Sequence, residues 1–159
     1  MKLNLYLVVP PYHSYYVEII DNLELSDAFD RWKLYVLDKI RKYDTGNRMQ
    51  FWDFSGYSKY NAEPVPVAGD KTTIMKWHAE PGHFTWILGD RVINRIFREG
   101  GQGSENFGIR LRPTNIQAHL KAFREKRRKY RESHPQVVKL INRLVRQANP
   151  TNLTSLTAK

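Results

Sequence analysis

Apolar residues recur along this chain in two rhythms, one of strands and one of helices. Leu3–Pro10 (LNLYLVVP) is an almost continuous apolar run closed by Pro10 and Pro11. That is the composition of a strand covered on both faces, as in a parallel sheet. Tyr12–Tyr16 reads as the loop after it, with Ser14 a loop serine. From Ser26 the period becomes helical, with Phe29, Trp32, Val36 and Ile40 on one stripe. Ser26 is placed to cap this helix, Asp27 suits its positive end, and Asp44–Asn47 is a turn. Met49–Phe54 (MQFWDF) is a second strand, and Ser55–Asp70 a long polar loop with Gly56, Pro64, Pro66 and Gly69. Loops of that length in compact domains are usually functional or mobile.

Trp77–His83 then leads into a helix expected over 84–98. Phe84, Leu88, Val92 and Ile96 follow at four-residue steps, and Ile87 and Ile93 widen the stripe. Gly100 and Gly101 end it. Phe107, Ile109 and Leu111 alternate with polar residues as a short strand. Pro113 and Thr114 open a helix with Ile116, Leu120 and Phe123 inward, His134–Pro135 breaks it, and a last helix carries Val137, Val138, Ile141, Leu144 and Val145. Strands alternating with helices predict an α/β fold with a short parallel sheet. Leu3–Pro10 and Met49–Phe54 should be parallel neighbours, with the 84–98 helix packed on them. So thin a sheet reads as part of a larger α/β domain, or as one that needs a partner.

Composition adds a core but no cross-links. The 4 Trp, 9 Tyr and 7 Phe are enough large rings to bury a core, which argues against disorder. The absence of Cys excludes disulfides, thiolate metal sites and a Cys nucleophile. No run approaches the roughly 18–20 apolar residues that span a bilayer. Met1–Pro11 has only Lys2 as a basic flank and no small-residue cleavage site, so it reads as a strand and not as a signal peptide. The net charge of +10 is unevenly placed: residues 1–109 hold 13 Lys/Arg and 14 Asp/Glu, whereas residues 110–147 hold 12 and 2. The organisation expected is an α/β core over 1–112, a basic helical extension over 113–148 and a flexible tail over 149–159.

Four groups of residues could carry chemistry. Asp53 and Ser55 close a predicted strand, the place where α/β sheets gather ligand groups, although Asp-Phe-Ser-Gly is also a common turn. Glu80 stands three residues before His83, so its carboxylate can orient the imidazole as a general base; helix-dipole stabilisation and packing explain the same residues. His13 lies on the loop after the first strand, a possible substrate-side position. Arg124, Lys126, Arg127, Arg128, Lys129 and Arg131 form a basic helix that could meet nucleic acid or another polyanion weakly through counterion release, or be a plain solvated face. His78, Glu80 and His83 do not make a zinc site, because Pro81 prevents the single helical face that His-Glu-x-x-His requires. No metal or cofactor is expected.

The segments LYLVVPPYHSYY, DAFDRWKLYVLDKI, FWDFSGYSKYNAEPVP, MKWHAEPGHFTWILGDRVINRIF and FGIRLRPTNIQAHL resemble the C-terminal half of SGNH-hydrolase-like proteins. The nearer resemblance is to bacterial members related to alginate acetylation and teichoic-acid D-alanylation. It covers roughly residues 3–120, and Glu80–His83 is its most specific part. The resemblance implies a flavodoxin-like α/β/α sandwich, acyl transfer or ester hydrolysis on a carbohydrate or acyl-ester substrate, and a cell-envelope setting. It makes His83 the general base and Glu80, where the family usually has Asp, its orienter. The family's Gly-Asp-Ser nucleophile block and its oxyanion-hole blocks do not occur in these 159 residues. The resemblance therefore implies a truncated product or a nucleophile half on another polypeptide, and a chain inactive by itself. The alternative is a non-enzymatic α/β module that binds an acidic polymer or nucleic acid through its basic helices.

Overall fold

The two apolar runs do pair in parallel. A computed structural model describes residues 3–97 and 107–148; the Gly100–Gly101 stop and the 149–159 tail lie outside the described residues. In chain order the elements are β1 (Leu5–Val9), α1 (Ser14–Asn22), α2 (Ser26–Tyr43), β2 (Met49–Asp53), β3 (His78–Glu80), β4 (His83–Phe84), α3 (Trp86–Phe97), β5 (Ile109–Leu111), α4 (Ile116–Ser133) and α5 (Pro135–Ala148). β1 and β2 run in register from Leu5 opposite Met49 to Val9 opposite Asp53. β5 joins the other side of β2 antiparallel, with Leu111 opposite Phe51. The sheet is thus mixed, in the order β1-β2-β5, and not all parallel as expected.

Strand periodicity sorts the core into two layers. Trp52 and Phe54 bury one face against Leu88, Val92 and Ile96 of α3, with Tyr6 and Val8 beside them. Val9, Phe51 and Leu111 bury the opposite face against Leu37 of α2 and Ile116 and Leu120 of α4. The arrangement is helix, sheet, helix. The basic extension is no appendage, since α4 closes one face of the sheet and α5 packs on α1.

Three local expectations need correction. Tyr12–Tyr16 is not all loop: Ser14 starts α1, capped by His13, whose Nδ1 accepts the Tyr15 N–H. Imidazole is an uncommon cap, so the helix start carries no familiar signature. The residues 84–98 do not form one helix. Pro81 and Gly82 turn the chain between β3 and β4, the Thr85 N–H closes onto the Trp77 carbonyl, and α3 begins only at Trp86. Ser26 does not cap α2; its hydroxyl donates to Asp21 and the cap position is Leu25.

One glycine fixes the join between the layers. Gly108 has φ +75°, and a Cβ there would overlap the Phe54 ring. Gly69, at φ +93°, has open space around its absent side chain. Gly108→Ala is expected to cost about 2 kcal/mol or more in a urea titration, backbone strain plus a displaced core ring. Gly69→Ala carries only the backbone part and should cost less. Equal losses would show that the Phe54 ring does not matter.

Candidate functional site

Asp53 ends β2 on the same face as Phe51, which aims its carboxylate between α2 and α4. Lys33 of α2 reaches it at 2.7 Å, and both side chains are fully buried. His119 of α4 meets the same oxygen, Nε2 to Oδ2, at 2.9 Å. The other oxygen accepts the Ser55 hydroxyl at 2.6 Å and the Ser55 N–H at 2.9 Å. Burial alone would push the Asp53 carboxyl up; the His119 hydrogen bond and the Lys33 charge outweigh it and hold it down at about 2. The Lys33 ammonium also lies over the rings of Phe29 and Phe123, 4.2 and 4.8 Å from their centroids. Asp53 and Ser55 were anticipated here. Lys33 and His119 were not, although Lys33 stands in phase with Phe29 and Leu37, and His119 with Ile116 and Phe123.

Glu80 and His83 meet as expected, but on an exposed hairpin and not at a helix start. His83 Nδ1 hydrogen-bonds Glu80 Oε1, and the other Glu80 oxygen accepts the Gly82 N–H at 2.9 Å. The Gly82 N–H and then the His83 ring hold the Glu80 carboxyl below its ordinary range. The two side chains are 85% and 51% exposed, so the pair is open to whatever approaches. The hairpin is tied to the segment after β1 by the His13 N–H on the Pro81 carbonyl and by His78 Nε2 on the Pro11 carbonyl. Among the described residues no hydrogen bond joins it to Asp53.

His13 is not on a substrate-side surface. It is buried, with Nδ1 engaged by the Tyr15 N–H and Nε2 donating to the Glu63 carbonyl at 2.9 Å. Burial lowers its pKa, in keeping with a neutral ring. Beside it the Glu63 carboxylate accepts the Lys76 and Trp77 N–H groups and meets His78 Nδ1, which pins both ends of the 64–77 loop.

The basic helix is largely engaged within the molecule. Arg131 donates to the fully buried Glu18 at 2.8 Å and to Asp21 at 2.5 Å, and Arg127 pairs with Asp21. Glu18 also accepts the Tyr57 hydroxyl at 2.6 Å, and burial and that acid raise the Tyr57 pKa well above its usual value. Arg124 meets Asp30, Arg128 meets Glu125 and Glu132, and Lys129 lies 4.0 Å from Glu125. A polyanion would therefore be met by the exposed Arg124, Lys126, Arg128 and Lys129, while Arg127 and Arg131 tie α4 to α1.

No protein-family model, no curated protein and no solved structure matches this chain.

The buried ion pair makes two measurable demands. Removing one partner strands a charge, so Lys33→Met or Asp53→Leu alone should cost about 3–5 kcal/mol in urea denaturation, and the double variant less than the two singles together. Because the Asp53 pKa is depressed on folding, its contribution is complete above the ordinary carboxylate range near pH 4 and is lost as pH falls through about 2. Stability should fall across that window, and Asp53→Asn should flatten the fall.

Proposed function

We propose that the β3–β4 hairpin carries the general-base arm of an acyl-ester hydrolase or carbohydrate O-acyltransferase, with the nucleophile supplied from outside these 159 residues. The observation that carries this reading is the Glu80–His83 pair. A carboxylate facing Nδ1 selects the tautomer with its proton there and leaves Nε2 bare toward solvent. That is the orienter-and-base half of a catalytic triad. A hydroxyl brought to Nε2 would lose its proton to His83 as it attacks the acyl carbon, and His83 would return that proton to the leaving oxygen. The Gly82 N–H keeps the carboxylate in place meanwhile.

Two further features support a second segment. Among the described residues β1 is paired on one side only, and Leu3 and Leu5 beside that open edge are exposed. His83 makes no hydrogen bond to a hydroxyl group among the described residues, which leaves Nε2 for a hydroxyl brought by such a segment. The resemblance to SGNH-hydrolase-like proteins points to the same division of labour.

The isolated chain should hydrolyse p-nitrophenyl acetate no faster than its His83→Ala variant. In the native preparation from source cells, His83→Ala should lower acyl-ester turnover by about 10²–10⁴-fold, the range of general acid–base catalysis, and Glu80→Gln by less. Native turnover that is absent or indifferent to His83 removes the reading. Clear His83-dependent turnover by the isolated chain would place the nucleophile within it.

A further inference from the structure

A cavity of about 420 Å³ opens between the end of β2, the turn after it and α4. Its size is that of ordinary small-molecule sites. Phe54, Phe107 and Phe123 give it apolar walls, and all three rings are buried in the protein. Neither Glu80 nor His83 lines it, so its use is independent of the acyl-transfer reading.

The polar groups of its wall are nearly all engaged with one another. Among the described residues Asp53 is the only acid that lines it, and Lys33, His119 and Ser55 already hold its carboxylate. The Asn61 amide donates to the Tyr12 and Phe54 carbonyls and accepts from Ser58. Asn115 donates to the Arg110 carbonyl and accepts the Arg112 N–H. Two lining cations remain. Among the described residues the buried Arg95 Nε has no hydrogen-bond partner, and its guanidinium lies over the Trp52 ring, 5.8 Å from the centroid. Lys126 stands exposed on the cavity wall and makes no ion pair among the described residues.

A buried charged N–H without an acceptor is unfavourable, so such a group marks a place where an acceptor belongs. A neutral apolar compound would fill the walls and leave that N–H unmet. A metal cation would meet two cations and an acid already neutralised. From these observations we infer that the cavity binds a small organic anion, a carboxylate or phosphate group on an apolar body, with Arg95 and Lys126 meeting the charge and the phenylalanine rings the body. The planar guanidinium matches either anion through paired N–H donors.

The test uses the full chain, with amide chemical shifts followed during titration with benzoate, its neutral analogue benzamide, and inorganic phosphate. Benzoate should move the amides of Ser58, Phe107, Ile109 and His119 and bind at least about tenfold more tightly than benzamide, the worth of one charge-assisted hydrogen bond. It should also bind more tightly than phosphate, which cannot use the apolar walls. Arg95→Met should remove the preference for benzoate over benzamide, and Lys126→Met should reduce it in part. Equal binding of benzoate and benzamide in the native chain overturns the inference and needs no variant to fold. Phosphate binding as tightly as benzoate overturns the apolar part, and shifts confined to α4 surface residues, or no shifts with any probe, overturn the site.

Discussion

A lysine ammonium with no access to water sits where three elements of this protein meet. Lys33 brings α2 to Asp53 at the end of β2, and Asp53 brings His119 and with it α4. Bare desolvation of either charge would be prohibitive, so the pair holds only while carboxylate, imidazole, hydroxyl and aromatic rings enclose it together. That requirement specifies the arrangement more than it adds stability. If α2 slips by a turn, Lys33 leaves its partner; if β2 slips by one residue, Asp53 moves to the α3 face. The apolar contacts of Phe51, Leu37 and Leu120 around it could be made in several ways, whereas the ion pair can be made in one.

The same device recurs wherever the thin sheet leaves an element without enough apolar cover. Glu18, buried in α1, is enclosed by Tyr57 and Arg131 and holds α4 against α1. Glu63 accepts two backbone N–H groups and a buried histidine and so closes a loop poor in apolar contacts. The strongly basic composition of the second half takes on a different meaning in this light. Part of it serves acids buried in the first half, so a count of charges along the sequence overstates the field that a partner would meet.

What was legible in the sequence was local. The paired strands, α3 and α4 follow from runs and stripes of neighbouring residues, and Glu80 and His83 meet because three residues and a Pro-Gly turn bring them together. The stripe that carried Phe84 into α3 was misleading, because four-residue spacing also fits a short hairpin strand followed by a helix. α1 was missed because Tyr15, Tyr16 and Glu18 make no apolar stripe and its cap is an imidazole. Lys33 carried a signal, a charge in the middle of the Phe29–Leu37 stripe, but a lysine on a helix is read as surface by default. Asp53 and His119 lie 66 residues apart and nothing in either neighbourhood announces the other.

The open side of β1 has a consequence of another kind. Among the described residues that edge is a row of unmatched backbone donors and acceptors flanked by exposed leucines, a template for an extended segment, including the same strand of a second molecule. The excess positive charge that would keep molecules apart lies at the other end of the sequence, in α4 and α5, and its reach shrinks to about a nanometre in physiological salt. For the chain by itself, concentration and ionic strength therefore bear on whether that edge stays unpaired.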